Sequence, residues 1–153
     1  IGIFAGKFIT WLEGTDKQAI YEAQLNGDLR TAKKYGLEQV YLKDLTDFEW
    51  ERVCVIWPYI SNEDIKRITG VKYYDFTDHE GQWGLLFIDK KEKLIPIRID
   101  RGSTVDYATA YDDKKGYGFK GKGAVYCSAK DNAKLVFYFE KVFDRMAAAL
   151  VNQ

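Results

Sequence analysis

Phe48-Glu49-Trp50-Glu51-Arg52-Val53-Cys54-Val55-Ile56-Trp57-Pro58-Tyr59, with Ser61-Asn62-Glu63-Asp64 close behind, is the stretch on which the fold turns. Val53 to Trp57 is near-continuously apolar. Alternation would mark a strand with one wet face, whereas an unbroken run marks a central strand buried on both faces. Pro58 cannot donate to a strand ladder and ends the run. Ser61 offers an oxygen to cap a helix, and Glu63 and Asp64 in the first turn suit the positive end of the helix dipole. Ile65 and Ile68 then face a core, and Gly70 stops the helix.

Upstream, Thr15-Asp16-Lys17-Gln18 has the form of a capping box, with Thr15 as N-cap and Gln18 three positions on. Tyr21, Leu25, Leu29, Ala32 and Tyr35 follow at spacings of three and four, which is one helical stripe. Gly27 weakens the middle of this helix, and Gly36 is its natural stop after Lys33 and Lys34. Gln39 to Leu45 reads as a short strand. Residues 1–14 read in two ways, as the remnant of a membrane anchor or as an ordinary first helix. Ile1 to Leu12 is too short to span a bilayer alone, which takes about 20 residues.

Downstream, Trp83 to Ile88 and Leu94 to Ile99 flank a polar loop of hairpin length, Asp89 to Lys93. Ile95, Ile97 and Ile99 alternate, so Arg98 points to the opposite face, and Pro96 marks a strand edge. Ala124 to Ser128 and Leu135 to Phe139 read as a second strand pair, and Phe143 to Val151 as a closing helix. Residues 15–153 are expected to form a single domain. Its class is α+β, with a mostly antiparallel sheet, an N-terminal helix, a short helix after the central strand and a C-terminal helix.

Composition narrows the function. At 153 residues the chain buries about 68–70% of its unfolded surface, enough for a core that needs no metal. Aromatics make up 16% of it, which favours pleated, half-buried surfaces. Lys+Arg 23 against Asp+Glu 23 leaves no net charge, so the cationic footprint of a nucleic-acid binder is missing. Cys54 and Cys127 each sit in a strand-like run. They are small buried hydrophobes in a reducing compartment, or a disulfide bridge between strands in an oxidising one.

Candidate chemistry is thin. Gly116-Tyr117-Gly118-Phe119-Lys120-Gly121 fits G-x-G-x-x-G, and Lys122-Gly123 extends it towards a P-loop, but Gly123 stands where the Mg²⁺-binding hydroxyl belongs. Its flanks are a charged turn and a strand, not the strand and helix that aim a helix N-terminus at phosphate. Asp75, Asp78, His79 and Glu80 cluster at a turn, but metal sites usually combine two or more His or Cys. Both thiols lie in apolar runs that suppress a nucleophile, so a dyad with His79 is disfavoured. Many carboxylate pairs are conceivable for glycoside hydrolysis, and no spacing singles one out. No catalytic residue, metal or cofactor is expected.

Surface recognition is the better expectation. Hot spots favour Trp, Tyr and Arg. Arg98 and Arg101 close the isoleucine strand, with a surface ion pair as the plain alternative. The irregular stretch Tyr107 to Gly123 carries Tyr111, Tyr117 and Phe119 as anchors. Lys114, Lys115, Lys120 and Lys122 beside them favour an acidic partner.

Trp50-Glu51-Arg52-Val53-Cys54-Val55-Ile56-Trp57-Pro58-Tyr59 resembles a pattern of small bacterial lipoproteins and secreted proteins, W-D-x-V-x-V-x-x-P-Y. There a helix follows, then a strand ending in Phe, a β-hairpin and an Arg. Here Leu85-Leu86-Phe87, the lysine-rich loop and Arg98 or Arg101 take those places, over about residues 45 to 105. Glu51 stands where Asp is usual. The resemblance implies an exported, membrane-tethered α+β domain in the periplasm or at the cell exterior, and lends no catalytic residue. The resulting expectation is a non-enzymatic protein-binding module, of immunity or inhibitor type. The alternatives are a small envelope hydrolase and a ligand-binding or structural envelope protein.

Overall fold

A computed structural model describes residues 15–56, 61–70, 82–102, 104, 108–112, 116–118, 126–140 and 145–152. Helix α1 (Thr15–Lys34) comes first, then strand β1 (Gln39–Tyr41) and a one-turn helix α2 (Leu42–Leu45). Strand β2 (Arg52–Ile56) and helix α3 (Asn62–Thr69) follow. Strands β3 (Gln82–Ile88), β4 (Leu94–Asp100), β5 (Ala108–Asp112), β6 (Gly116–Gly118) and β7 (Tyr126–Ala129) come next. A 3₁₀ turn (Lys130–Asn132) then leads to β8 (Ala133–Glu140) and β9 (Arg145–Asn152). The fold is α+β with two sheets, one ordered β4-β3-β2-β7 and the other β1-β8-β9-β5-β6. Every strand pair is antiparallel except β5 with β9.

The unbroken apolar run behaves as its composition demands. β2 lies inside its sheet, and Val53, Cys54, Val55 and Ile56 are fully buried. Val53 and Val55 face the main core with Leu85, Phe87, Ile97 and Ile99. That core also takes Leu25 and Leu29 of α1 and Leu135 and Leu150 of the second sheet. Cys54 and Ile56 face the other way, onto Leu86, Ile88 and Ile65 of α3. Ser61 caps α3 by accepting from the Asp64 N–H, and Gly70 ends it at φ 75°, a left-handed turn that glycine takes without a Cβ penalty. Trp50 enters the core just ahead of β2. It is 2% exposed, donates from Nε1 to Thr46 Oγ1 at 2.8 Å and meets Phe87 edge-on.

Cys54 and Cys127 are register partners on β2 and β7, 4.0 Å apart at Cα, and form a disulfide. The bridge fits an oxidising compartment. Among the described residues no helix is long and apolar enough to cross a membrane.

Three expectations are corrected. Within the closing helix expected over Phe143 to Val151, Arg145–Asn152 instead forms strand β9, inside the five-stranded sheet between β8 and β5. Ala147 and Ala148 are good helix formers, but both are fully buried there, and small side chains let neighbouring elements approach. β7 and β8 do not pair with each other. The 3₁₀ turn carries the chain from one sheet to the other, so β7 pairs β2 while β8 pairs β1 and β9. Gln39 to Leu45 is a strand only as far as Tyr41, after which α2 buries Leu42. The expected features at residues 1–14, Trp57 to Tyr59 and Asp75 to Glu80 lie outside the described residues.

Candidate partner-binding edge

The strand order leaves β4 and β1 each at the border of a sheet. Neighbouring residues of a strand send their main-chain groups to opposite sides. On β4, Pro96, Arg98 and Asp100 share the side away from β3. Pro96 has no N–H to satisfy there. Glu22 and Asn26 of α1 satisfy the other two residues. The Arg98 N–H donates to Glu22 Oε1 at 3.2 Å, the Arg98 carbonyl accepts from Asn26 Nδ2 at 2.8 Å, and the Asp100 N–H donates to Asn26 Oδ1 at 3.1 Å.

Asn26 is 6% exposed, and its carboxamide is fully used. Nδ2 also donates to the Glu22 carbonyl at 2.7 Å, and Oδ1 also accepts from the buried Thr104 hydroxyl at 3.0 Å. Two donors and two acceptors are all a carboxamide has. α1 therefore seals this border with side chains that take the place of a further strand.

β1 is treated differently. α1 ends in a Schellman turn: the Leu37 N–H donates to the Ala32 carbonyl at 3.0 Å, the Gly36 N–H to that of Lys33, and Gly36 sits at φ 68°. The turn throws Tyr35 and Leu37 outward, 73% and 51% exposed. Tyr35 thus departs from the stripe read for α1; the helix stops one residue before it. Tyr41, 37% exposed, lies under two ammonium groups, Lys43 Nζ at 5.6 Å and Lys134 Nζ at 5.8 Å from the ring centre. Phe139, 52% exposed, lies two residues beyond Phe137, whose N–H donates to the Glu38 carbonyl. Of the four large apolar side chains found exposed among the described residues, Tyr35, Leu37 and Tyr41 thus lie on β1 or the segment leading into it, and Phe139 lies on β8.

The described residues among those singled out from sequence fall at two places. Arg98 is on the sealed border, its guanidinium 3.4 Å from Glu22 Oε1. Arg101 is half-buried in the turn after β4. Tyr111 and Tyr117 are register partners of β5 and β6, at the far border of the five-stranded sheet from β1. Lys114, Lys115, Phe119, Lys120, Lys122 and His79 lie outside the described residues. Among the described residues no three His, Cys, Asp or Glu side chains group as metal ligands would. Sequence reasoning missed Tyr35, Leu37, Tyr41 and Asn26. Only the last left a signal, a poor helix former beside Leu25 in mid-helix.

One cleft of about 510 Å³ opens between α1, the 46–50 segment and the start of β4. Lys17 and Lys93, Asp47 and Glu49, and the rings of Tyr21 and Phe48 line it. The two rings stand 4.5 Å apart, and Phe48 continues the stack to Phe87 in the core. Comparison with protein-family models, curated proteins and solved structures finds no match.

Proposed function

We propose that this chain is a non-enzymatic protein-binding domain of the periplasm or cell exterior, tethered through its N-terminal side, that acts by covering a partner's surface as immunity and inhibitor proteins do. The observation that carries it is the exposure of Tyr35, Leu37 and Tyr41 along β1 and the segment leading into it. Exposed apolar side chains rimmed by charge mark contact sites when they occur together. The Cys54–Cys127 bridge supports the compartment, and the resemblance of residues 45 to 105 to exported domains supports the tether.

A photo-crosslinking amino acid at Tyr41, and at Lys66 on the exposed side of α3 as control, tests the reading in the producing cell. A discrete adduct from Tyr41 and none from Lys66 is expected. Equal labelling from both, or no adduct from Tyr41, overturns it. Thiol alkylation after acid quenching tests the compartment: both cysteines are expected to be blocked, and free thiols in the cell would place the protein in a reducing one.

The cleft favours a second reading, binding of a small zwitterionic ligand between its lysines and acids. That reading requires saturable binding abolished by Lys17→Glu and Lys93→Glu together.

A further inference from the structure

We propose that β1 engages its partner by strand addition: an extended segment carrying an acidic residue pairs with the free side of Gln39–Tyr41 and sets its acid beside Tyr41, Lys43 and Lys134. This rests on the protein-binding reading above and names how the partner is held.

The main chain sets the mode. The Glu38 carbonyl accepts from Phe137 N–H at 2.9 Å, so Glu38 and, two residues on, Val40 direct their groups towards β8. Gln39 and Tyr41 alternate with them and direct theirs away. Tyr41 is the N-cap of α2, so its carbonyl turns into that helix. What remains is the Gln39 N–H, the Gln39 carbonyl and the Tyr41 N–H, along a border where the described residues place no strand. Donor, acceptor and donor in extended spacing are what another extended main chain satisfies. The same chain closes the comparable border at β4 with Glu22 and Asn26.

Charge sets the partner. Two ammonium groups share the Tyr41 ring, and Lys43 pairs with Asp131 only at 3.9 Å, an acid itself 91% exposed. An acidic side chain opposite Tyr41 would meet both lysines. A second copy of this chain, pairing β1 with β1, would instead bring two more lysines to the same place. The lysines thus disfavour self-pairing, as edge lysines do, and favour an acidic strand.

The probe is a short peptide alternating valine and glutamate, followed by amide NMR and hydrogen exchange on the intact protein. The peptide is expected to shift and protect the Gln39 and Tyr41 amides and leave that of Val40 unchanged. A lysine-for-glutamate peptide is expected to bind about tenfold more weakly. N-methylation along one edge of the peptide is expected to weaken binding by about tenfold or more, and along the other edge to have little effect, because only one edge faces β1. Equal binding by all the peptides, or unmoved Gln39 and Tyr41 amides at millimolar peptide, overturns the proposal. So does prior protection of those amides in a concentration-dependent dimer.

Gln39→Pro removes the outward N–H at a position where an edge strand tolerates proline. If it folds, it is expected to lose the peptide. A Tyr41 crosslink in cells that survives Gln39→Pro undiminished overturns strand addition while leaving partner binding intact. A Tyr41 crosslink absent from the unsubstituted protein overturns the binding reading itself.

Discussion

β4 and β1 are both border strands, yet α1 lays Glu22 and Asn26 along the first, while the second carries exposed Tyr35, Leu37 and Tyr41. The difference extends to the sheets behind them. The four-stranded sheet is secured on both sides, by α1 at β4 and by the Cys54–Cys127 bridge that ties β7 to β2. It is also buried on both faces, by the main core and by α3. The five-stranded sheet ends at β1, held by three register pairs to β8. One chain shows both treatments, so an open border is not what this sequence does by default. The two seals belong to one sheet, and the open border at β1 belongs to the other.

The largest test of that division is the disulfide. It closes a separation of 73 residues, for which chain entropy gives a stabilisation of about 4 kcal/mol. Replacing both cysteines by alanine is expected to lower the melting temperature by about 10 °C. Exchange protection should fall in β7 and β2 before β1. If β1 loosened first, the bridge would be acting through the core that the two sheets share and not through its own sheet.

Asn26→Ala comes next. It strips four hydrogen bonds from a buried site, among them those to the Arg98 carbonyl and from the Asp100 N–H, a loss of about 2–3 kcal/mol. It should also raise self-association, because the border it exposes is then a template for another strand. Asn26→Asp keeps both accepted bonds but sets a carboxylate oxygen against the Glu22 and Arg98 carbonyls in a buried site, so it should cost at least as much. Urea unfolding and light scattering read the two effects separately, and a stable but aggregating Asn26→Ala would show sealing without stabilisation.

A smaller effect runs the other way. Gly27 is inside α1, and a Cβ there would meet nothing nearer than the Arg30 Nη2 at 4.0 Å. Gly27→Ala should stabilise the sealing helix by about 0.5–1 kcal/mol. Chemical denaturation measures it, and a destabilised Gly27→Ala would mean that α1 is placed by tension rather than by propensity.

How far the sequence foretold these features depends on the range of the interaction. β2, Ser61 and Gly70 were readable because an apolar run and two caps are decided within a few residues. The hairpin of β3 and β4 was readable because its turn is local: Asp89 Oδ1 accepts from the N–H groups of Lys91 and Lys93. β9 was misread because Ala147 and Ala148 are helix formers placed in a sheet interior by neighbours far along the chain. Separation of β7 from β8 turns on a 3₁₀ corner that a polar loop of the same length does not announce. The candidate site was the least readable part. Which side of Gln39 faces outward follows from its register with Val136, and no local pattern carries a register.

The smallest expected effect separates the two borders most directly. Tyr35 and Leu37 are large and apolar, and in a sequence they look like core. Their exposure says that folding gains little from them, since stabilisation follows the apolar area removed from water. Tyr35→Ser with Leu37→Ser should therefore change unfolding free energy by no more than about 0.5 kcal/mol. The Schellman bonds are main-chain to main-chain and survive the exchange. The same double variant should reduce the yield of the Tyr41 photo-crosslink, because the rim that flanks the strand is gone. A loss of stability of 1.5 kcal/mol or more, about half of what Asn26→Ala should cost, would show these side chains holding the fold together. The β1 border would then be a structural seam like that of β4, and the contrast between the two would fail.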